Sequence, residues 1–141
     1  MASLYYSQLN VWAVVVAAAT YWILGSIWFS LLFGKIWSSE LEKHGVKIQT
    51  PKGSRMAAKL VQTFILNLAA ALALSYLVFV SESSTLYHAI KLGLASGVGL
   101  SASTIGIAYT WEGRSVKLAV IDIGYPLLGV VVCSIILTLW R

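Results

Sequence analysis

Four long apolar runs alternate with short polar breaks along the 141 residues of the chain. The first run covers residues 11–33, and no charged side chain precedes Lys35. As a helix its 23 residues extend about 34 Å, enough to cross a hydrocarbon core of about 30 Å with some tilt. It has no basic residues ahead of it and is too long for the apolar region of a cleaved signal peptide. Similar runs follow at residues 57–80, 92–111 and 118–140, with one sizeable loop at residues 34–56. Inside a bilayer each backbone group must be satisfied within its own segment, so runs of this length predict helices. The pattern therefore predicts a single all-α domain with four transmembrane helices.

The breaks carry their own signals. In the long loop Ile36, Trp37, Glu40, Leu41 and Lys43 predict a short interfacial helix ended by Gly45 in a left-handed conformation. Thr50-Pro51-Lys52-Gly53 is a turn signal, and Ser54 is placed to cap the second span. Ser81 to Thr85 form a polar loop able to cap the third span, with His88 and Lys91 near that helix's start. Glu112 to Ser115 predict a tight turn into the fourth span.

Composition sharpens this picture. The chain is 59% hydrophobic and only 11% charged, with a mean hydropathy of +0.83, whereas soluble domains carry about a quarter charged residues. Six Trp and seven Tyr suit the aromatic belts at the two membrane surfaces. Lys35, Lys43, Lys47, Lys52, Arg55, Lys59, Arg114 and Lys117 fall in or beside the first and third breaks, against Lys91 and Arg141 on the other side. Eight against two predicts both termini outside and the long loop in the cytoplasm, as in a multi-pass protein of the cell membrane. The net charge of +5 then reports topology and not a nucleic-acid surface. The single Cys133 excludes an intrachain disulfide, and no His, Cys or carboxylate set has metal-ligand spacing. No metal and no cofactor are expected.

Asp122 is the exception to the pattern, since it is the one carboxylate placed inside an apolar span. An ionisable group at a helix centre costs about 2.5–3.5 kcal/mol on insertion scales, so it needs a partner or a function. Pro126 one turn later removes the hydrogen bond to the Asp122 carbonyl. Asp122, Tyr125, Pro126, Gly129 and Cys133 share one helical face. With the predicted topology, Asp122, Tyr125, Asn67, Trp28 and Tyr109 all lie in the cytoplasmic half of the bilayer, and they form the candidate ligand or ion-pathway set. A cluster of Asn67, Asp122, Tyr125 and the freed carbonyl is one expectation. The alternative is a polar anchor that locks the second helix to the fourth, or pairs Asp122 with Lys117 or Lys59. Thr63 and Asn67 lie on one face of the second span, as polar groups that bond across helices do.

Two separated segments carry a family likeness. Leu24 to Trp37 read LGSIWFSLLFGKIW, and Glu112 to Trp140 read EGRSVKLAVIDIGYPLLGVVVCSIILTLW. In this order they resemble the bacterial membrane proteins called domain of unknown function 1761, and the likeness extends over nearly the whole chain. The resemblance implies a four-helix membrane fold and supplies no activity. It singles out Gly25, Trp28, Phe33, Gly34, Lys35, Trp37, Asp122, Gly124 and Tyr125 as motif positions.

Two functional readings follow. One is an oligomeric ion or small-solute channel or transporter that uses Asp122. Gly93, Gly97 and Ser101, with Gly99, Ser103 and Gly106, give the third helix a small-residue face for a homo-oligomer contact. The other is a structural or accessory protein that binds membrane lipids or a larger membrane partner. An enzyme is not expected. The sequence holds no Ser-His-Asp set, no paired carboxylates in one span and no phosphate loop, and His44, Glu40 and Glu42 read as a solvated loop.

Overall fold

A computed structural model describes residues 2–49 and 51–140. Among these residues every regular element is helical: α1 (Ala2–Gln8), α2 (Val11–Ile27), α3 (Gly34–Lys43), α4 (Ser54–Val80), α5 (Leu86–Ser96), α6 (Ser103–Glu112) and α7 (Val116–Leu139). Wider π-helical turns extend α2 through Trp28–Leu32 and join α5 to α6 through Gly97–Ala102. Four helices are long and apolar enough to cross a membrane: Val11–Leu32, Ser54–Val80, Leu86–Glu112 and Val116–Leu139.

The helix boundaries follow from capping chemistry. Asn10 Oδ1 accepts from the Ala13 N–H at 3.1 Å and starts α2. Thr85 Oγ1 accepts from the His88 N–H at 3.3 Å, as expected of the polar loop, and the helix that carries the apolar run from residue 92 begins at Leu86. Residues 86–91 are thus the helix's first turns, started by the Thr85 cap. The second span likewise begins earlier than residue 57. Ser54 does not cap it: Gly53 takes the cap position with φ +59°, a left-handed value that glycine tolerates, and Ser54 is the first helical residue. The turn signal at Thr50 lies outside the described residues, as does Arg141. Gly45, at φ +77°, follows α3, where the Val46 N–H closes back on the Leu41 carbonyl at 3.0 Å.

The fourth span is the hub. α7 packs against α2, α4 and the whole third span, and α3 rests on its first turns. The main core joins Ala13, Ala17, Ala18 and Tyr21 of α2 to Ala71, Leu74 and Val78 of α4 and to Val130, Cys133 and Leu137 of α7. Alanines on α2 bring the three backbones close, as small residues do where lipid supplies no hydrophobic drive. Cys133 Sγ donates to the Ala17 carbonyl at 3.3 Å in this core. The third span docks by its glycines. A Cβ on Gly93 would lie 2.7 Å from Val131 Cα, and one on Gly97 2.7 Å from Leu127 Cδ1. Gly93 and Gly97 therefore face α7 of the same chain and do not form a free oligomer surface. A Cβ on Gly99 or Gly106 would meet nothing within 4 Å from a neighbouring helix, so these two positions remain open.

Candidate functional site

The two segments that carry the family likeness meet at the end of the bundle where the basic loops lie. The π turn widens the last turn of α2, and the Phe33 N–H reaches back to the Trp28 carbonyl at 2.9 Å. Gly34 permits the sharp change of direction into α3, because a Cβ there would stand 2.7 Å from the Phe29 carbonyl oxygen. α3 then lies back against α7. The face that carries Trp37, Glu40, Leu41 and His44 at i, i+3, i+4 and i+7 is the one that docks.

Asp122 stands on the second turn of α7, half-buried, and both of its oxygens are engaged. Oδ1 accepts from Trp37 Nε1–H at 2.9 Å, and Oδ2 accepts from the Tyr109 hydroxyl of α6. The carboxylate thus joins three elements through two neutral aromatic donors. One residue earlier, the Ile121 carbonyl accepts from Trp28 Nε1–H at 3.0 Å. The Trp28 ring covers Gly124, where a Cβ would come within 2.8 Å of it, and the Tyr125 ring fills the space beside Gly25 at the same distance. Phe29 stands edge-on to both Trp37 and Tyr125, with ring centroids 5.2 and 5.4 Å apart. Of the nine motif positions, eight are thereby accounted for by packing or hydrogen bonding, Phe33 through its ring contact with Trp28 at 4.6 Å. Lys35 is exposed.

The structure brings Asp122 and Tyr109 into direct contact and places Trp28 one carbonyl away. It separates the other two candidates. The Tyr125 hydroxyl donates to Asn67 Oδ1 at 3.4 Å, and the Tyr125 ring also packs on Tyr21. Asn67 therefore ties α4 to Tyr125 and does not join Asp122, whose oxygens accept from Trp37 and Tyr109. The partners of Asp122 are Trp37 and Tyr109, not Lys117, Lys59 or α4. Thr63 also bonds across helices, accepting from Trp22 Nε1–H at 3.1 Å.

The docked face of α3 corrects the expectation of a solvated loop. Glu40 is buried; its Oε2 accepts from the Ser115 hydroxyl at 2.7 Å, and its Oε1 pairs with Lys43 Nζ at 2.7 Å. Ser115 in turn caps α7 by accepting from the Leu118 N–H, while its own N–H donates to His44 Nε2 at 3.1 Å. The hydrogen bond from Lys43, followed by the one from Ser115, holds the Glu40 carboxyl below its usual range against the opposing effect of burial. Trp37 was the residue least visible as a site from spacing alone. Its signal was the amphipathic face it shares with Glu40 and Leu41. Among the described residues no group of three or more His, Cys, Asp or Glu side chains could hold a metal ion.

The fold and this site define a polytopic helical membrane protein whose loop helix is clamped to its last span. The family model described as "Protein of unknown function (DUF1761)" matches residues 12–138, and the chain belongs to that family. No curated protein and no solved structure matches the chain.

Proposed function

We propose that the protein is an accessory component of the cell membrane, a small four-span scaffold in which Asp122 is a structural lock. The observation that carries this reading is that each oxygen of the carboxylate holds one aromatic donor, from α3 and from α6. A carboxylate that serves a conduction path needs access to water or ions, whereas this one spends its acceptors on holding a loop helix and the third span to α7. The eight-to-two excess of Lys and Arg in the loops beside that clamp supports a cytoplasmic position for it, with both termini outside. Lipids and a larger membrane protein are the partners this reading calls for.

The test is Asp122→Asn in sealed proteoliposomes, with ion flux and thermal stability measured on the same preparation. The lock reading predicts lower stability and unchanged flux. Flux that is present in the native chain and abolished in a folded Asp122→Asn variant overturns it.

One observation favours a second reading, an oligomeric channel or transporter. The open side of the third span, with Gly99, Ser103 and Gly106, leaves room for a second copy to pack closely. Native mass spectrometry in mild detergent separates the two, because a bare monomer removes the oligomeric pathway and a defined homo-oligomer supports it.

A further inference from the structure

A second feature lies at the opposite end of the bundle from Asp122. A cavity of about 310 Å³ opens between the start of α2 and the last turns of α4 and α7. Interiors pack to crystal-like density, and ligand sites begin at about 300 Å³, so a space of this size is a feature to explain. Its walls are apolar: Ala13, Val14, Val78 and Leu137 are all buried residues that border it. α1 lies across one side. The Tyr5 hydroxyl and Ser75 Oγ share a buried hydrogen bond of 2.5 Å, and the Tyr5 ring stands edge-on to Tyr76 and Phe79 at 5.3 and 5.5 Å.

The lining chemistry limits the guest. None of the lining residues is charged, and an ionic group placed there would lose its hydration without a counter-ion. The polar positions are Gln8, Asn10, Ser75, Tyr5 and Trp140. Tyr5 and Ser75 hold each other, and Asn10 Oδ1 is used to cap α2. The donors that remain for a guest are the amide N–H groups of Asn10 and Gln8 and the indole N–H of Trp140. A guest with an uncharged apolar body and an acceptor oxygen matches these walls and donors. At about 30 Å³ for each water-sized group, the volume takes about ten such groups, a chain segment and not a whole lipid.

The position of the mouth names the source. Val14 lies three residues, about 4.5 Å, inside the start of α2, so the cavity sits at the end of an apolar span. Tyr6 and Trp12, 71% and 73% exposed, stand beside the α1–α2 junction as belt aromatics do. A guest arriving there comes from the bilayer. We propose that the cavity binds the upper segment of one phospholipid acyl chain, with the ester carbonyl accepting from Gln8 and Asn10 and α1 strapped over it by the Tyr5–Ser75 bond. The protein thereby holds one lipid in a fixed place at the face opposite its basic loops.

Two measurements on the full chain test this. The first uses the unaltered protein in nanodiscs of phosphatidylcholine doped with an analogue that carries a diazirine beside its acyl ester. Label concentrated on residues 5–14 and 75–79 supports the site. Label spread over exposed lipid-facing residues such as Val61, Ile65 and Val120 overturns it. The second is native mass spectrometry after delipidation and incubation with palmitoyl-oleoyl phosphatidylcholine. The native chain is expected to retain one lipid, Val14→Phe to lose it by filling the cavity, and Val16→Phe, on an exposed face of α2, to keep it. Complete release of lipid from the native chain, or equal retention by a folded Val14→Phe variant, contradicts the proposal, as does capture of a molecule with no acyl chain.

Discussion

Removing the Asp122 carboxylate in two steps separates its charge from its hydrogen bonds. In Asp122→Asn the amide oxygen still accepts from Trp37 Nε1–H, and its N–H₂ faces the Tyr109 hydroxyl, which rotates to accept. Two charge-assisted bonds, each worth about 1.5–3 kcal/mol, become neutral ones worth about 0.5–1.5 kcal/mol. The carboxylate's desolvation is relieved at the same time, so the net loss is about 1–2 kcal/mol. Asp122→Ala removes both acceptors and leaves an indole N–H and a phenol O–H without partners inside a half-buried cluster. At about 1–3 kcal/mol for each stranded group, the loss is about 2–6 kcal/mol. Thermal unfolding in mild detergent, followed by tryptophan fluorescence and by retention on a sizing column, reads both variants. The expected order is native, then Asn, then Ala. An Asn variant more stable than the native chain refutes the reasoning, because it means that the carboxylate is held at a net cost for a purpose other than locking the helices.

Four further outcomes follow from the packing. Gly93→Ala is expected to lower stability by about 2 kcal/mol or more, since its Cβ meets the backbone of Val131, whereas Gly99→Ala, in open space, is neutral or gains up to about 1 kcal/mol of helix propensity. The same unfolding assay ranks the pair. Gly124→Ala is expected to displace the Trp28 ring and shift its fluorescence, with a loss of about 1–3 kcal/mol. Ser134 Oγ is buried with no hydrogen-bond partner among the described residues, so Ser134→Ala is expected to raise stability by about 1 kcal/mol. Glu40 has a depressed folded pKa, so its contribution is present above the ordinary value of 4.5 and is lost as pH falls through the folded value. Below that range α3 is expected to loosen from α7, which limited proteolysis between residues 34 and 49 detects at acid pH, and Glu40→Gln abolishes the pH dependence.

The spans were legible because lipid leaves the backbone no alternative to a helix, and Asp122 was legible because a carboxylate in such a run is costly. The Asp122 partners were legible only in part. Tyr109 lies 13 residues away across one turn, so the antiparallel pairing of the third and fourth spans brings it near. Trp37 lies 85 residues away, and its contact depends on a π turn and on Gly34, which together set the angle at which α3 folds back. No periodicity encodes that angle. The glycine repeat of the third span announced close packing but not its partner, and the fold divides it between Gly93 and Gly97 against α7 and the open Gly99 and Gly106. The cavity under α1 had no sequence signal, because it is a space left between three helix ends and not a property of any one of them.

The lock is tested most directly by a double-mutant cycle on Trp37→Phe and Asp122→Ala, each of which removes the Trp37–Asp122 hydrogen bond, with unfolding free energy as the readout. Direct bonding across 2.9 Å predicts a coupling of about 1 kcal/mol or more, with the second substitution costing less once the first is made. Additivity within about 0.5 kcal/mol would contradict the account, since it would mean that α3 and α7 are not held together through this carboxylate.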